Sequence, residues 1–300
     1  FCATAMSIVS GTIAERIKLV PFLIFAIFLT GIIYPIQGSW TWGGGWLSEM
    51  GFSDFAGSTI VHSVGGWAAL TGALIIGPRI GKYGPNGQVN AIPGSNLPLA
   101  TIGTFILWFG WFGFNGGSQL ALGSAADAAA IANVYVNTNM AACAGLVAAL
   151  ILSILLYKKT DLTFVLNGAL AGLVAITAGP DVATPLQAMI IGAIGGILTT
   201  LAIPLLDKIG IDDVVGAISV HLVSGIWGTL AVAIPGLNGS GDIGTQIIGI
   251  VSIGLFTVIL SGIGWFALKA IYGLRPSEEE ENIGLDISEL GMDAYPEFKN

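Results

Sequence analysis

The sequence predicts an all-α polytopic membrane protein built on an inverted repeat. Three observations carry this: the composition, the placement of the basic residues, and a motif repeated around the two histidines. Of 300 residues, 54% are hydrophobic and only 9% are charged, with a mean hydropathy of +0.85; soluble domains carry about a quarter charged residues. The stretches 55–78, 83–126, 128–157, 182–206, 214–241 and 243–268 contain no Asp, Glu, Lys or Arg. About 20 apolar residues of helix cross the ~30 Å hydrocarbon core of a bilayer, so several of these stretches are long enough to span it. Such charge depletion excludes nucleic-acid binding, a secreted disulfide scaffold and disorder. The surrounding partner is a lipid bilayer.

Hydropathy divides the chain into nine segments: 1–15, 19–38, 54–78, 96–117, 128–157, 162–179, 184–206, 213–235 and 243–272. Each is apolar nearly all round, as expected where lipid and neighbouring helices replace water. The basic residues then supply an independent check. Arg16 and Lys18 follow segment one, Arg79 and Lys82 follow three, Lys158 and Lys159 follow five, and Lys208 follows seven. Lys269 and Arg275 close segment nine and Lys299 lies beyond it. The connections after segments two, four, six and eight hold no Lys or Arg, so all ten basic residues fall on one side, the cytoplasmic side by the positive-inside rule. One helix more or fewer would scramble that pattern.

The two ends of the chain differ from the body. Phe1-Cys2-Ala3-Thr4 opens inside an apolar segment without an initiator Met, a basic n-region or a small-residue cleavage site. It is therefore expected to be the second part of a longer helix rather than a signal peptide, with whole helices preceding it. A 300-residue piece lacking them is expected to be unstable alone. Two units are expected: a transmembrane domain over 1–272 and a cytoplasmic acidic tail over 273–300, which holds eight of the eighteen acids within its last 23 residues. Cys2 and Cys143 sit in apolar stretches and read as buried free thiols, with no disulfide framework.

Only two histidines are present, both inside spanning segments. A lone histidine on a helix is ordinarily a satisfied core residue, but here the surroundings repeat. Asp54 precedes His62 by eight positions and Asp213 precedes His221 by eight, and both sites share the pattern D-x7-H-x-V-x-G. Segment three starts outside and segment eight starts inside, so the repeat is inverted. Eight helical residues rise about 12 Å, which brings each histidine from an opposite face to near the midplane, where inverted-repeat transporters hold their substrate. An ionisable side chain at that depth is costly and marks a functional site. Each aspartate also suits a helix N-terminus as a cap.

The chemistry of such a pair is narrow. No HExxH, GxSxG or Cys/His constellation is present, so no enzyme activity and no cofactor are expected. Two imidazoles without Cys or carboxylate at the same depth under-coordinate a metal. Conduction of a small protonatable solute fits better, because imidazole donates from one nitrogen, accepts at the other, and titrates near neutrality. On the outer face Trp40, Trp42 and Trp46 surround Gly43-Gly44-Gly45, and Trp108-Phe109-Gly110-Trp111-Phe112-Gly113-Phe114 ends segment four, followed by Ser118. Interfacial belts account for most such aromatics. Clusters beside glycine turns can also hold a small cation, with Ser118 adding an acceptor. A cation held outside and a neutral hydrogen-bonding pair within suggest a solute that sheds its charge on entry.

Ala14-Glu15-Arg16-Ile17, Trp42-Gly43-Gly44-Gly45, Asp54-Phe55-Ala56-Gly57 with His62, Gly110-Trp111-Phe112-Gly113-Phe114-Asn115, Val220-His221, and the tail from Gly273-Leu274-Arg275 to Tyr295-Pro296 resemble the ammonium transporters of the Amt/MEP/Rh family along essentially the whole chain. The resemblance implies an inverted-repeat fold of eleven helices with an outer N-terminus, the nine segments corresponding to helices three (in part) to eleven. It implies recruitment of ammonium at Trp42, Ser118 and Phe1, with Asp54 organising the vestibule and Phe1 and Phe114 as a stacked gate. Trp111 then lines the path, and His62 and His221 are twin histidines in the pore. The resemblance implies that ammonia is conducted; the residues leave open whether the proton follows. The resemblance further implies a homotrimer with one pore per subunit in the plasma or inner membrane, a cytoplasmic C-terminus, and a PII signalling protein as cytoplasmic partner. Gly284, Asp286 and Gly291 match the regulatory tail, while Leu290 stands where the family often has His. Two rivals carry over from the same family: an ammonium sensor, and an Rh-like channel for ammonia or carbon dioxide, against which Trp42 and Ser118 favour a charged substrate.

Overall fold

A computed structural model of the chain describes residues 1–239 and 241–298; Lys299, assigned above to the inner side, lies outside them. Among the described residues, nine long helices follow the nine expected segments: α1 Cys2–Ile13, α2 Leu19–Ser39, α3 Ser58–Ile76, α4 Leu97–Gly117, α5 Ala125–Tyr157, α6 Leu162–Ile176, α7 Pro185–Lys208, α8 Ile218–Ala231 and α9 Ile243–Tyr272. Six of them, α2, α3, α4, α5, α7 and α9, are long and apolar enough to cross a bilayer, and no strand forms among the described residues.

Local chemistry sets the boundaries. Side-chain caps open α4 (Asn96), α5 (Ser124), α6 (Asp161), α7 (Thr184, in a capping box with Gln187) and α9 (Asp242), each satisfying N–H groups that the first turn leaves unpaired. Helix α5 starts three residues before the expected bound and takes Asp127 into its first turn, where a carboxylate suits the positive end of the dipole. Helices α3 and α9 end at Gly77 and Gly273, both at positive φ. Helices α3 and α8 begin at Ser58 and Ile218 rather than at Asp54 and Asp213. The histidine segments are thus discontinuous: three residues separate Asp54 from Ser58 and four separate Asp213 from Ile218 before the helix starts. Irregular backbone of this kind is tolerated at membrane depth where it is enclosed by protein.

Helices α1, α2, α3 and α9 share one core, which includes Val9, Phe25, Val64 and Trp265, and α5, α6 and α7 pack on one another. Helix α3 is the central element, with 78% of its span buried, against 11% for α4. The two histidine helices approach closely. A Cβ on Gly66 would lie 2.6 Å from Leu222 Cβ and 2.8 Å from Leu222 N, and one on Gly225 would meet the Ser58 carbonyl. These are the glycines that end the repeated motif, and each lets one histidine helix reach the backbone of the other. The cysteines depart from expectation: Cys2 is half-buried, its Sγ donating to Thr30 O at 3.2 Å, and Cys143 is exposed on the outer surface of the bundle. Periodicity is a poor guide to burial here because lipid-facing and core-facing positions are equally apolar.

The ion pairs among the described residues gather at one end. Arg16, fully buried, donates to Thr12 O, Gly77 O and Asp212 O at 2.7–2.8 Å. Arg79 grips Asp212 with Nε and Nη2 at 2.9 and 3.0 Å and also reaches Glu15, and Lys82 pairs with Asp207 at 2.9 Å. Residues beyond α9 fold back onto this end rather than hanging free. Leu274 joins the core and its carbonyl accepts from Lys18 N. Glu281 bridges Arg275 and Ile80 N, and Glu289 accepts from Leu19 N.

Two outcomes follow from this packing. Gly66→Ala should lower stability by about 1–3 kcal/mol, since backbone opposes the added methyl; Gly103→Ala, with nothing within 4 Å, should not, as thermal unfolding of the full-length protein in detergent will show. Burial pushes the Asp212 carboxyl up, but the hydrogen bonds and charge of Arg79 outweigh it and hold it below the usual carboxylate range. Its contribution is therefore complete above the unfolded carboxylate value of about 3.9 and is lost as pH falls through the lower folded value. Asp212→Asn should flatten that acid limb of the unfolding midpoint against pH.

Candidate functional site

The candidate site is built where α3 and α8 cross. Each histidine rides on a π-helical turn, Ser58–Ser63 for His62 and Ile218–Val223 for His221; π-turns inside helices recur at functional sites. Each aspartate of the repeat caps the turn that follows it. Asp54 Oδ1 accepts from Gly57 N and Ser58 N at 3.0 and 2.8 Å, and Oδ2 from Thr59 N and Ile60 N at 2.8 and 3.0 Å. Asp213 Oδ2 accepts from Ile218 N and Ser219 N at 2.8 and 3.3 Å, while its Oδ1 takes the Thr12 hydroxyl at 2.8 Å. The helical rise between each aspartate and its histidine is thus shorter than the eight-residue estimate, because the helix begins only after the cap.

The histidines nevertheless meet. His62 Nδ1 lies 3.2 Å from His221 Nδ1. With ring centroids 5.2 Å apart and planes 13° apart, the rings lie edge to edge. A hydrogen bond between two Nδ1 atoms requires one to carry the proton and the other to be bare, so the pair holds together with one shared proton at that contact. A second proton there would set N–H against N–H. His62 is fully buried and its Nε2 has no protein partner.

A continuous chain of rings leads from this pair to the aromatic end. His62 stacks on Trp111 (4.8 Å, 11°) and touches Phe114 (5.2 Å). Phe114 packs on Phe1 at 4.2 Å, and Phe1 on Trp42 at 5.6 Å. Asp54 fixes the outer ring as well, since Trp42 Nε1 donates to its carbonyl at 3.1 Å. Its carboxylate is occupied by four N–H groups, so it holds the turn and the Trp42 ring in place. Ser118 joins through Phe114, its hydroxyl donating to Phe114 O at 3.0 Å, which leaves the oxygen lone pairs as acceptors. Gly284, Asp286 and Gly291 stand apart in the tail. Gly284 (φ +102) separates the short helices Glu278–Ile283 and Leu285–Ser288, Asp286 accepts from Ile287 N and Ala294 N, and Gly291 (φ +67) turns the chain beyond.

Several supporting residues escaped the sequence reading. Trp111 Nε1 donates to Thr177 Oγ1 at 2.8 Å, and Asn115 Nδ2 to Thr138 Oγ1 at 2.9 Å, with Thr177 and Asn115 3.2 Å apart. Gln37 Nε2 donates to Ile60 O at 2.9 Å and Thr199 Oγ1 to Ser219 O at 3.0 Å. Gln37 offered a signal, a strongly polar residue within an apolar span; the threonines did not, since Thr is common in such helices. Among the described residues, no group of three His, Cys, Asp or Glu gathers as metal ligands. Asp54→Asn should cost about 2–3 kcal/mol, because an amide turned toward the N–H pair it replaces leaves buried donors unsatisfied. A fall in the thermal unfolding midpoint, with no rescue by Asp54→Glu, checks this.

Residues 1–295 match the Ammonium Transporter Family. The chain is 44% identical over 326 residues to ammonium transporter Amt2 of Archaeoglobus fulgidus, covering 99% of this chain and 69% of that protein. It is 43% identical to a putative ammonium transporter of Synechocystis sp., covering 97% of this chain and 66% of the relative. Among solved structures, it resembles one described as a sensor Amt protein, with a TM-score of 0.90 and 44% identity over 96% of this chain and 74% of that one. Mep2 of Candida albicans is also similar, with a TM-score of 0.82 and 28% identity over 93% of this chain and 65% of that one. The chain thus spans about two thirds of its relatives' length. It is a multi-pass membrane protein, and it belongs to the ammonium transporter family.

Proposed function

We propose that the chain takes up ammonium nitrogen: ammonium is recruited outside against the faces of Trp42 and Phe1 with Ser118 as acceptor, loses its proton at Phe1 and Phe114, and crosses as ammonia beside His62 and His221. Aromatic faces attract a small cation by about 0.5–2 kcal/mol as it sheds water. Below them the path offers no carboxylate to a bare cation, and the desolvation cost in an apolar pore then favours the neutral form. The pair suits ammonia because its Nδ1 contact leaves the two Nε2 atoms, one bare and one protonated, to accept from and donate to the solute. The observation that carries the reading is the 3.2 Å contact between the Nδ1 atoms, set beside Trp111 and beneath Phe114. The reading extends to a trimer in the cell membrane with its basic end and tail in the cytoplasm, where a PII protein would meet the pore exit.

A second reading is an ammonium sensor, favoured by the likeness to the structure described as a sensor Amt protein. Proteoliposomes carrying the full-length protein separate the two. A saturable ammonium-evoked current, lost when His62 and His221 are both replaced by Ala, is expected. Ammonia uptake without current assigns electroneutral passage, and ammonium binding without flux assigns the sensor. Native transport by His62→Ala would overturn the obligatory role of the pair.

A further inference from the structure

The two histidine-bearing π-turns share a feature beyond the histidines. Each receives a side-chain donor from a neighbouring helix at the carbonyl two residues before its histidine. On α3 that carbonyl is Ile60 O, which takes Gln37 Nε2 of α2 at 2.9 Å. On α8 it is Ser219 O, which takes Thr199 Oγ1 of α7 at 3.0 Å. Both donors are buried, Gln37 at 0% and Thr199 at 1% exposure. Each is further anchored: Gln37 Nε2 also reaches Tyr34 O at 3.2 Å, and Thr199 Oγ1 lies 2.9 Å from Ser224 Oγ, so that Ser224 can donate to Thr199 while Thr199 donates onward. The two halves use different residue types from different helices, yet they grip the same position of the turn.

The grip matters because of what a π-turn does. It inserts one residue into the helical register, and one residue is worth about 100° of rotation at 3.6 residues per turn. A relaxation of either turn to α-helix would swing its histidine away from its partner. The isolated sequence has no strong preference for the π form, which is rare, so an external contact must select it. A buried amide in an apolar span is costly unless it makes hydrogen bonds, and Gln37 Nε2 donates to both α2 and α3.

We infer that Gln37 and Thr199 are positioning residues for the histidine pair, each locking the π-turn that aims one imidazole at the other. The inference concerns the geometry of the pair; its consequence for transport rests on the function proposed above. 15N-histidine labelling of the full-length protein in lipid, with the two signals assigned by their loss in His62→Gln and His221→Gln, reports on the pair. In the native protein, solid-state NMR should show one protonated and one bare Nδ1 in close contact. Thr199→Val and Gln37→Met remove the donors with little change of volume, and each should abolish the Nδ1–Nδ1 contact. Maximal ammonium transport should fall about tenfold or more, as small misplacements of a reacting group do, with half-saturation at the outer site unchanged. Thr199→Ser, which keeps the hydroxyl, should restore the native spectrum. If an apolar variant does not assemble, Thr199→Cys and Gln37→Asn, which weaken or withdraw the donor, are read in the same way. Donor-less proteins that assemble with a native histidine spectrum overturn the inference, whether or not their stability or transport has fallen. A lost contact with native transport upholds it and instead overturns conduction along the pair.

Discussion

The contact between His62 and His221 sets the terms for the rest of the molecule. Two polar rings 159 residues apart in sequence are held 3.2 Å from each other within an otherwise apolar bundle, and that position is untenable unless the backbones beneath them approach closely and stay fixed. Gly66 and Gly225 permit the approach, since each faces the opposite histidine helix where no Cβ fits. The interruptions that bring the helix starts into the protein leave N–H groups exposed, and Asp54 and Asp213 absorb them. The motif shared by the two halves therefore contains one residue type for each demand: a carboxylate to end the helix, an imidazole to meet its partner, and a glycine to let the backbones close.

The charged residues obey the complementary rule. Arg79, Lys82 and Arg275 pair at one end with Asp212, Asp207 and Glu281, and Arg16 spends its donors there on carbonyls, while in the helix-crossing region the two carboxylates are taken up as helix caps. Breaking a buried pair is far more costly than forming it is favourable, which makes this end a rigid base rather than a source of large net stability. The helices that carry the histidines emerge directly from it: α3 runs into Gly77, whose carbonyl Arg16 holds, and α8 follows Asp212 and Asp213. The residues after α9 close over the same base through Glu281 and Glu289.

How much of this was legible follows from which physical signals a sequence carries. The nine helices were readable because lipid demands long uncharged runs and because all the basic residues alternate in step with them. The histidine pair was readable because ionisable groups are rare in such runs and because its motif recurs. The repeat predicted that the two histidines meet, and they do, but the eight-residue rise was inexact: non-helical chain follows Asp54 and Asp213, since a capping carboxylate must sit outside the helix it caps. The π-turns were invisible, because a one-residue change of register leaves no compositional trace. Cys143 was misjudged for the reason that exposure to lipid and burial in protein select the same residues. Thr177, Thr138 and Thr199 were hidden among ordinary helix threonines, which usually bond their own backbone as Thr71 and Thr257 do here.

The repeat is symmetric in backbone and asymmetric in surroundings, and the asymmetry is what gives the site a direction. His62 is fully buried, stacks on Trp111 and touches Phe114, from which Phe1 and Trp42 continue to the aromatic end. His221 is less enclosed, and among the described residues its ring contact is with His62. Asp54 spends its carboxylate on four backbone N–H groups and its carbonyl on Trp42, so the cap of α3 is tied to the outer ring. Asp213 instead shares its carboxylate with Thr12 of α1, next to the Arg16 base. One histidine is therefore referenced to the aromatic vestibule and the other to the ionic base, and the hydrogen bond between them joins the two frames. On the function proposed above, a solute moving along the pair would pass from a region where ring faces favour cations to one where nearby charge is already neutralised by ion pairs. The same two-fold motif, placed upside down, thus yields a path whose ends are chemically unlike.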